Sequence, residues 1–314
     1  MAVQWPLLIF SVLLGASSGV LIFLGVGEVK GTFKSARFPL GLIALILLAV
    51  GSFASVLHLG HVERAFYILG NLSSGLSKEL FAVAFTGIVT LVYVILSRKD
   101  YPGPTKVFGI LCLIGGIVLP FVAGASYMMP ARPAWDSFTL PLMYLGTGVG
   151  MGFVLASAYV FTKGEDADKQ LALNLAGIGV ICSVAVMLLY VLWIALAPYP
   201  DPTRSIMRLA GGDLAVAFWI CVVAIGMAAP LALVWMARRD FAGKGGSDTG
   251  EPQVAGVDGS GAAFVTPAAA AKSASVKISP VTALWASLAC LVVGSVVLRV
   301  IMYAVATSVE QLIY

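Results

Sequence analysis

Along this protein, apolar residues come in long unbroken runs. They do not alternate as in a half-buried strand, nor recur at the three- and four-residue spacing of a surface helix. Eight runs are long enough for a helix rising about 1.5 Å per residue to cross a hydrocarbon layer of about 30 Å. They fall near Pro6 to Gly27, Pro39 to Leu59, Glu79 to Ser97, Lys106 to Met128, Phe138 to Lys163, Leu171 to Ala197, Asp213 to Ala237 and Val281 to Thr307. The expected fold class is all-α, a polytopic membrane protein with eight transmembrane helices. Residues 1–237 are expected to hold seven helices joined by short loops, residues 238–280 a flexible cytoplasmic loop, and residues 281–314 the eighth helix and a short tail. The Gly-, Ala- and Ser-rich stretch Phe241 to Ser279 cannot bury enough apolar area to repay its ordering entropy. No Lys or Arg precedes Lys30, so the first run lacks the basic start of a cleaved signal peptide and reads as a retained helix. Pro6-Leu7-Leu8 matches Pro141-Leu142-Met143 and Gly15 matches Gly150, which fits either two parallel four-helix halves or coincidence in a Gly- and Leu-rich sequence.

Composition agrees with a bilayer as solvent. With 60% hydrophobic and only 11% charged residues, the protein cannot hide its apolar side chains inside a soluble globule. The net charge of +4 is small but unevenly placed, which bears on orientation and argues against nucleic-acid binding. Lys30, Lys34, Arg37, Arg98, Lys99, Lys106, Lys163, Lys169, Arg238, Arg239, Lys244, Lys272 and Lys277 fall in the odd-numbered loops. The other side holds Arg64, Lys78, Arg132, Arg204 and Arg208. Basic residues near helix ends favour the cytoplasm, so both termini are expected outside, with the stretch around the histidines.

That stretch, Leu57 to Leu80, carries most of the chemistry. It contains both histidines of the protein, His58 and His61, with Glu63, Arg64 and Glu79 close in sequence. Two histidines three apart on one helix share a face, whereas a bis-histidine haem needs ligands on opposite sides of the iron. Such a haem is excluded, and nothing in the sequence supports one held by a single histidine. Cys112, Cys182, Cys221 and Cys290 stand singly in apolar runs, so no metal site is expected in this protein, and any metal or cluster chemistry belongs to a partner. A neutral imidazole at a membrane edge can accept a quinol's hydroxyl proton; an interfacial cap is the plainer reading of His58. Glu79, followed by apolar Leu80, Phe81 and Ala82, is expected to be partly desolvated and able to accept a proton; with Ser77 as N-cap it could instead simply complement a helix dipole. Arg299 lies inside the last apolar run, where a charge is costly and either snorkels or faces a partner or cavity. The loop Tyr127 to Trp135 reads as an interfacial aromatic belt or a docking patch.

These residues resemble the membrane-anchor subunit of the dimethyl sulfoxide reductase family. The likeness rests on Leu57-His58-Leu59-Gly60, Arg64-Ala65-Phe66, Leu69, Asn71, Ser73-Ser74, Leu76-Ser77 and Glu79, with Trp135 before the fifth helix and Arg299 followed at four residues by Tyr303. The family often has an acidic residue shortly before that arginine, where this protein has Ser295. The resemblance implies a haem-free subunit of an anaerobic respiratory reductase in a bacterial or archaeal cytoplasmic membrane. It would bind and oxidise menaquinol and pass electrons to an iron-sulfur subunit, which feeds a molybdopterin catalytic subunit. His58 and Glu79 would act on the quinol, with Arg64 and Arg299 helping to bind it. The alternatives are a quinone-handling anchor of the polysulfide or nitrite reductase type and, from another class, a secondary transporter, for which the sequence offers few midplane polar groups.

Overall fold

The computed structural model describes residues 3–57, 70–99, 101–196, 200–245 and 278–305. Among them there is no strand, and eight helices are long and apolar enough to cross a membrane. The molecule is a polytopic membrane protein. In order run α1 (Trp5–Lys30), a 3-10 turn (Lys34–Ala36), α2 (Arg37–Val56), α3 (Gly75–Lys99), α4 (Pro102–Ala125), α5 (Thr139–Lys163) and α6 (Asp166–Leu196). A short helix α7 (Pro200–Ala210) follows, then a π-helical segment (Ala217–Ala228) that continues as α8 (Ala229–Gly245), and last α9 (Pro280–Val305). With no water to bond free amides in hydrocarbon, a helix satisfies its own backbone, which is why apolar runs take this form.

Two differences from the sequence reading concern ends. Helix α8 runs to Gly245, so residues 238–245 are helical and not part of a loop opening at 238. The seventh crossing starts at Ala217, because the backbone from Pro200 first forms α7. That helix is held by its buried Ser205 and Leu209, by a bidentate Arg208–Asp213 pair at 2.6 and 2.9 Å, and by Arg208 donating to Ala304 O at 2.8 Å. Too short to cross a membrane, it leaves no mark in a search for long apolar runs.

Helix α1 packs on α2, α4 and α5, and α3 closes the first ring against α2 and α4. Helices α5, α6, α8 and α9 form the second ring, with α5 packed on α6 and α9 and α8 on α6 and α9. The seam between the rings is α1 against α5, and small residues make it. A Cβ at Gly19 would run into the carbonyl oxygen of Gly148, and one at Gly152 into the backbone of Gly19 and Val20. Gly15 and Gly19 on α1 thus meet Gly148 and Gly152 on α5 in register, each pair four residues apart. Between helices in lipid, such backbone approach replaces the hydrophobic drive as the source of attraction. Gly226 of the π-helical segment and Gly294 of α9 meet in the same way.

At the end of the bundle where α1 finishes, polar groups do the fastening. Glu28, 3% exposed, accepts from Arg37 Nη2 at 2.7 Å and from the Tyr93 hydroxyl at 2.8 Å, and Gly109 leaves room for its Cγ. One carboxylate therefore joins α1 to α2 and α3 beside α4, with both of its oxygens bonded. The turn after α1 places Gly31 and Phe33 at positive φ, 73° and 59°. Phe33 tolerates this because its amide donates to Asp168 Oδ2 at 2.8 Å and its ring stacks on Phe23 at 4.5 Å.

Gly19→Leu is expected to lower stability by at least about 1–3 kcal/mol, the ordinary cost of overpacking, because backbone and not a flexible side chain stands in the way. Gly103→Ala, at a position with open space, should leave stability unchanged. Thermal unfolding in detergent compares the two; equal melting would refute the seam as the point of tightest packing.

Candidate functional site

At the opposite end, where α1 begins, the bundle opens into a cavity of about 270 Å³. Its wall is built from Gln4 and Leu7 of the α1 region, Leu76 and Glu79 of α3, Ser126, Tyr127, Met129, Arg132 and Trp135 of the α4–α5 connection, and Tyr303 of α9. The volume is slightly below the ordinary range for a whole small ligand, about 300–1,000 Å³, and suits a ring-sized head group.

Glu79 is placed by the start of α3. That helix begins at Gly75, earlier than expected, and its cap is Ser74, not Ser77: the Ser77 amide donates to Ser74 Oγ at 3.1 Å. Ser77 is buried in the first turn and donates to Asn71 O at 2.7 Å. Glu79 therefore stands in the second turn, facing the connection after α4. Gly75 lets that connection approach, since a Cβ there would lie 3.3 Å from Ser126 Cα. The approach brings Ser126 Oγ within 3.1 Å of Glu79 Oε2 and 2.7 Å of Ala123 O. One hydroxyl proton cannot serve both acceptors. An ionised Glu79 would draw the Ser126 proton; a protonated Glu79 could donate to Ser126 Oγ while that hydroxyl turns to Ala123 O. Either charge state of the carboxyl thus has a partner.

The remaining wall is aromatic. The Trp135 ring is 2% exposed, donates from Nε1 to Met302 O at 2.9 Å, and meets Tyr127 and Tyr303 edge to face at 5.8 and 5.6 Å between centroids. The Trp135 ring is turned inward and so belongs to neither an exterior belt nor a docking patch, while Pro130 and Ala131 of the same loop are exposed and Phe138, just beyond it, is 61% exposed. Arg132 lies over the Trp135 ring at 4.7 Å. The Tyr303 hydroxyl donates to Tyr127 Oη at 3.5 Å. Burial holds the Tyr127 phenol far above its ordinary range, so it stays protonated and can donate to a ligand oxygen.

Arg299 sits one turn before Tyr303 and does not line the cavity. It is 2% exposed, with its guanidinium carbon 3.9 Å from the centre of the Tyr144 ring and none of its side-chain nitrogens hydrogen-bonded among the described residues. Tyr144 in turn is 5.8 Å from Tyr127, so the cation stands behind the aromatic wall. His58 and Arg64, with His61 and Glu63, lie outside the described residues; α2 is described to Val56, with Leu57 as its cap, and the description resumes at Gly70. Of the expected site residues, the structure brings Glu79 to the cavity and sets Arg299 behind it. Sequence reasoning missed Ser126, Tyr127 and Tyr303 as wall residues. Tyr127 and Tyr303 stand out in the sequence for other reasons, and no spacing joins them to Glu79.

Among the described residues, eight apolar helices long enough to cross a membrane, with a carboxyl opening into an aromatic-walled cavity at one end of the bundle, define a polytopic membrane-embedded protein. A family model described as the DMSO reductase anchor subunit (DmsC) matches residues 1–196, well over half of the sequence. The protein belongs to that family. It is 32% identical over 163 residues to the anaerobic dimethyl sulfoxide reductase subunit YnfH of Escherichia coli K12, covering 49% of this protein and 57% of that one. It is 28% identical over 171 residues to the C subunit of the same organism's anaerobic dimethyl sulfoxide reductase, covering 49% and 58%. Against the C subunit of the Haemophilus influenzae anaerobic dimethyl sulfoxide reductase it is 28% identical over 196 residues, covering 60% and 69%. The matched stretch thus spans little more than half the length of the two Escherichia coli relatives. By their names these relatives are components of reductase complexes. The family match takes in every cavity residue except Tyr303.

Trp135→Phe keeps the ring wall but leaves Met302 O without its donor and should cost about 1–3 kcal/mol. A melting temperature in detergent that does not move would show that the bond to α9 contributes nothing to closing the cavity.

Proposed function

We propose that this cavity receives the head group of a quinol, menaquinol in the family reading, and that the protein is the quinol-oxidising anchor of an anaerobic respiratory reductase. The observation that carries the reading is the Glu79 carboxyl: it opens into an aromatic-walled cavity, and its bond from Ser126 can reverse with its charge. Ring walls from Tyr127, Trp135 and Tyr303 stack a flat head group, and the tyrosine hydroxyls can bond its oxygens. As the quinol becomes quinone, each hydroxyl loses a proton and the ring gives up an electron pair. Glu79 takes one proton and His58, two residues beyond α2, takes the other. Arg64 follows His58 in the same connection and is assigned to binding. Arg299, buried and without a hydrogen bond among the described residues, contributes its charge from behind Tyr144 and does not touch the quinol.

The electrons pass to an iron-sulfur subunit and on to a molybdopterin catalytic subunit; haem, clusters and molybdenum are assigned to no residue of this protein. The bias of basic residues sets both termini and the cavity outside the cytoplasm, so the protons are released there. Quinol reaches the cavity from the lipid between α2 and α3.

Glu79→Gln and His58→Arg are each expected to lower quinol-dependent reductase activity by about 10²–10⁴-fold, the usual worth of a positioned proton acceptor, while the complex still assembles. Activity with a soluble electron donor to the partner subunits should be kept. Normal quinol-driven turnover in both variants would remove the proposed site. Arg299→Gln should lower the same activity with a smaller rise in KM than Tyr303→Phe, because the arginine does not line the cavity; the opposite order would make it a direct ligand.

A further inference from the structure

A second recess runs between α6 and α8 from about mid-helix toward the other end of the bundle, with a volume of about 560 Å³. It is walled by Val180, Ile181, Leu231 and Trp235, and the guanidinium of Arg238 lies at its end. Ile181 and Trp235 are 57% and 60% exposed, so the recess opens sideways to lipid. Helix α6 begins, and α8 ends, at the face opposite the Glu79 cavity.

The guanidinium is held in a built seat. Gly177 has no side chain where a Cβ would meet Arg238 Nη2, so the group lies flat on α6. There Nη2 donates to Leu173 O at 3.3 Å and Asn174 O at 3.1 Å, and Nε to Leu173 O at 3.4 Å. These carbonyls fix its orientation but carry no charge, and no carboxylate pairs with it among the described residues. Arg239 adds a second cation, 5.6 Å over the Trp235 ring, so even with Asp240 next in sequence the local balance is positive. A fixed cation beside an apolar slot open to the bilayer matches a phosphate carried on an acyl chain.

We propose that the α6–α8 groove binds one anionic phospholipid, its phosphate on Arg238 and an acyl chain along Ile181, Leu231 and Trp235. The Gly177 seat presets the guanidinium, so little side-chain entropy is lost when the lipid arrives. Basic residues count this face as cytoplasmic, which makes the lipid one of the inner leaflet. The site is independent of the quinol reading and requires only that the protein span a membrane.

Native mass spectrometry of the full-length protein, released from micelles holding equal phosphatidylglycerol and phosphatidylcholine, tests this. Wild type should keep one phosphatidylglycerol with about tenfold preference, as expected for one added charge-assisted bond. Arg238→Gln should abolish the preference, and Ile181→Trp, which fills the slot without touching the cation, should lose the bound lipid. Arg98→Gln, a basic change at the same face in the other ring, should change nothing. Equal retention of the two lipids by wild type, or undiminished phosphatidylglycerol in Ile181→Trp, would overturn the proposal, as would a polypeptide found in the groove in place of lipid. Should Arg238→Gln not fold, the wild-type preference and the Ile181→Trp result still decide it.

Discussion

The close approach of α1 to α5 governs the rest of the molecule. In lipid, two apolar helices gain little by leaving their solvent, so what holds them is contact, and contact is closest where side chains are missing. Gly15 and Gly19 against Gly148 and Gly152 bring two backbones together along the centre of the bundle. Each helix then carries its own ring of neighbours. The cavity sits at one end of this same seam, between the start of α1 and the connection that leads into α5. Its walls keep their positions because the two helices beneath them cannot slide apart without opening the glycine contact.

Two carboxylates at opposite ends show how similar chemistry is put to different use. Glu28 is buried with both oxygens bonded, to a guanidinium and a phenol, and it fastens three helices. A pair this well satisfied has little to offer a ligand, and its worth lies in geometry. Glu79 has one hydroxyl that also has a carbonyl to serve, and space in front of it. Arg299 and Arg238 form a similar contrast. Arg299 is sealed behind a tyrosine ring where it can act only by its field, whereas Arg238 is clamped by carbonyls at the mouth of a groove and can be reached. What sets Glu79 and Arg238 apart from Glu28 and Arg299 is open space beside the charged group, not the number of its bonds.

Much was legible in the sequence before any tertiary contact was known. Eight apolar runs became eight crossing helices, because in a bilayer length and apolarity are sufficient causes of a spanning helix. The block from Leu57 to Glu79 pointed to the anchor family, and the match over residues 1–196 bears that out. Glu79 could be singled out because it opens an apolar run within the same block of residues that carries the family likeness. Ends were read less well. The cap of α3 is Ser74, α8 extends to Gly245, and α7 went unseen, since caps and short amphipathic turns are decided by a few local bonds that apolar periodicity does not report.

Which helices touch, and therefore what surrounds Glu79, belonged to the tertiary structure. Ser126 lies 47 residues along the sequence from Glu79, and Trp135 reaches Met302 across 167. Such pairs leave no spacing to read, because each depends on how several helices rotate about their axes, and in a uniformly apolar helix every face looks alike to a pattern search. The sequence determined that the protein would cross a membrane eight times and where its few charges would stand along each crossing. Packing alone decided that Glu79 faces aromatic rings, that Arg299 stands behind them, and that Arg238 lies in a groove. Rotation is chosen where small residues let backbones meet, and only the assembled neighbours reveal which small residues those are.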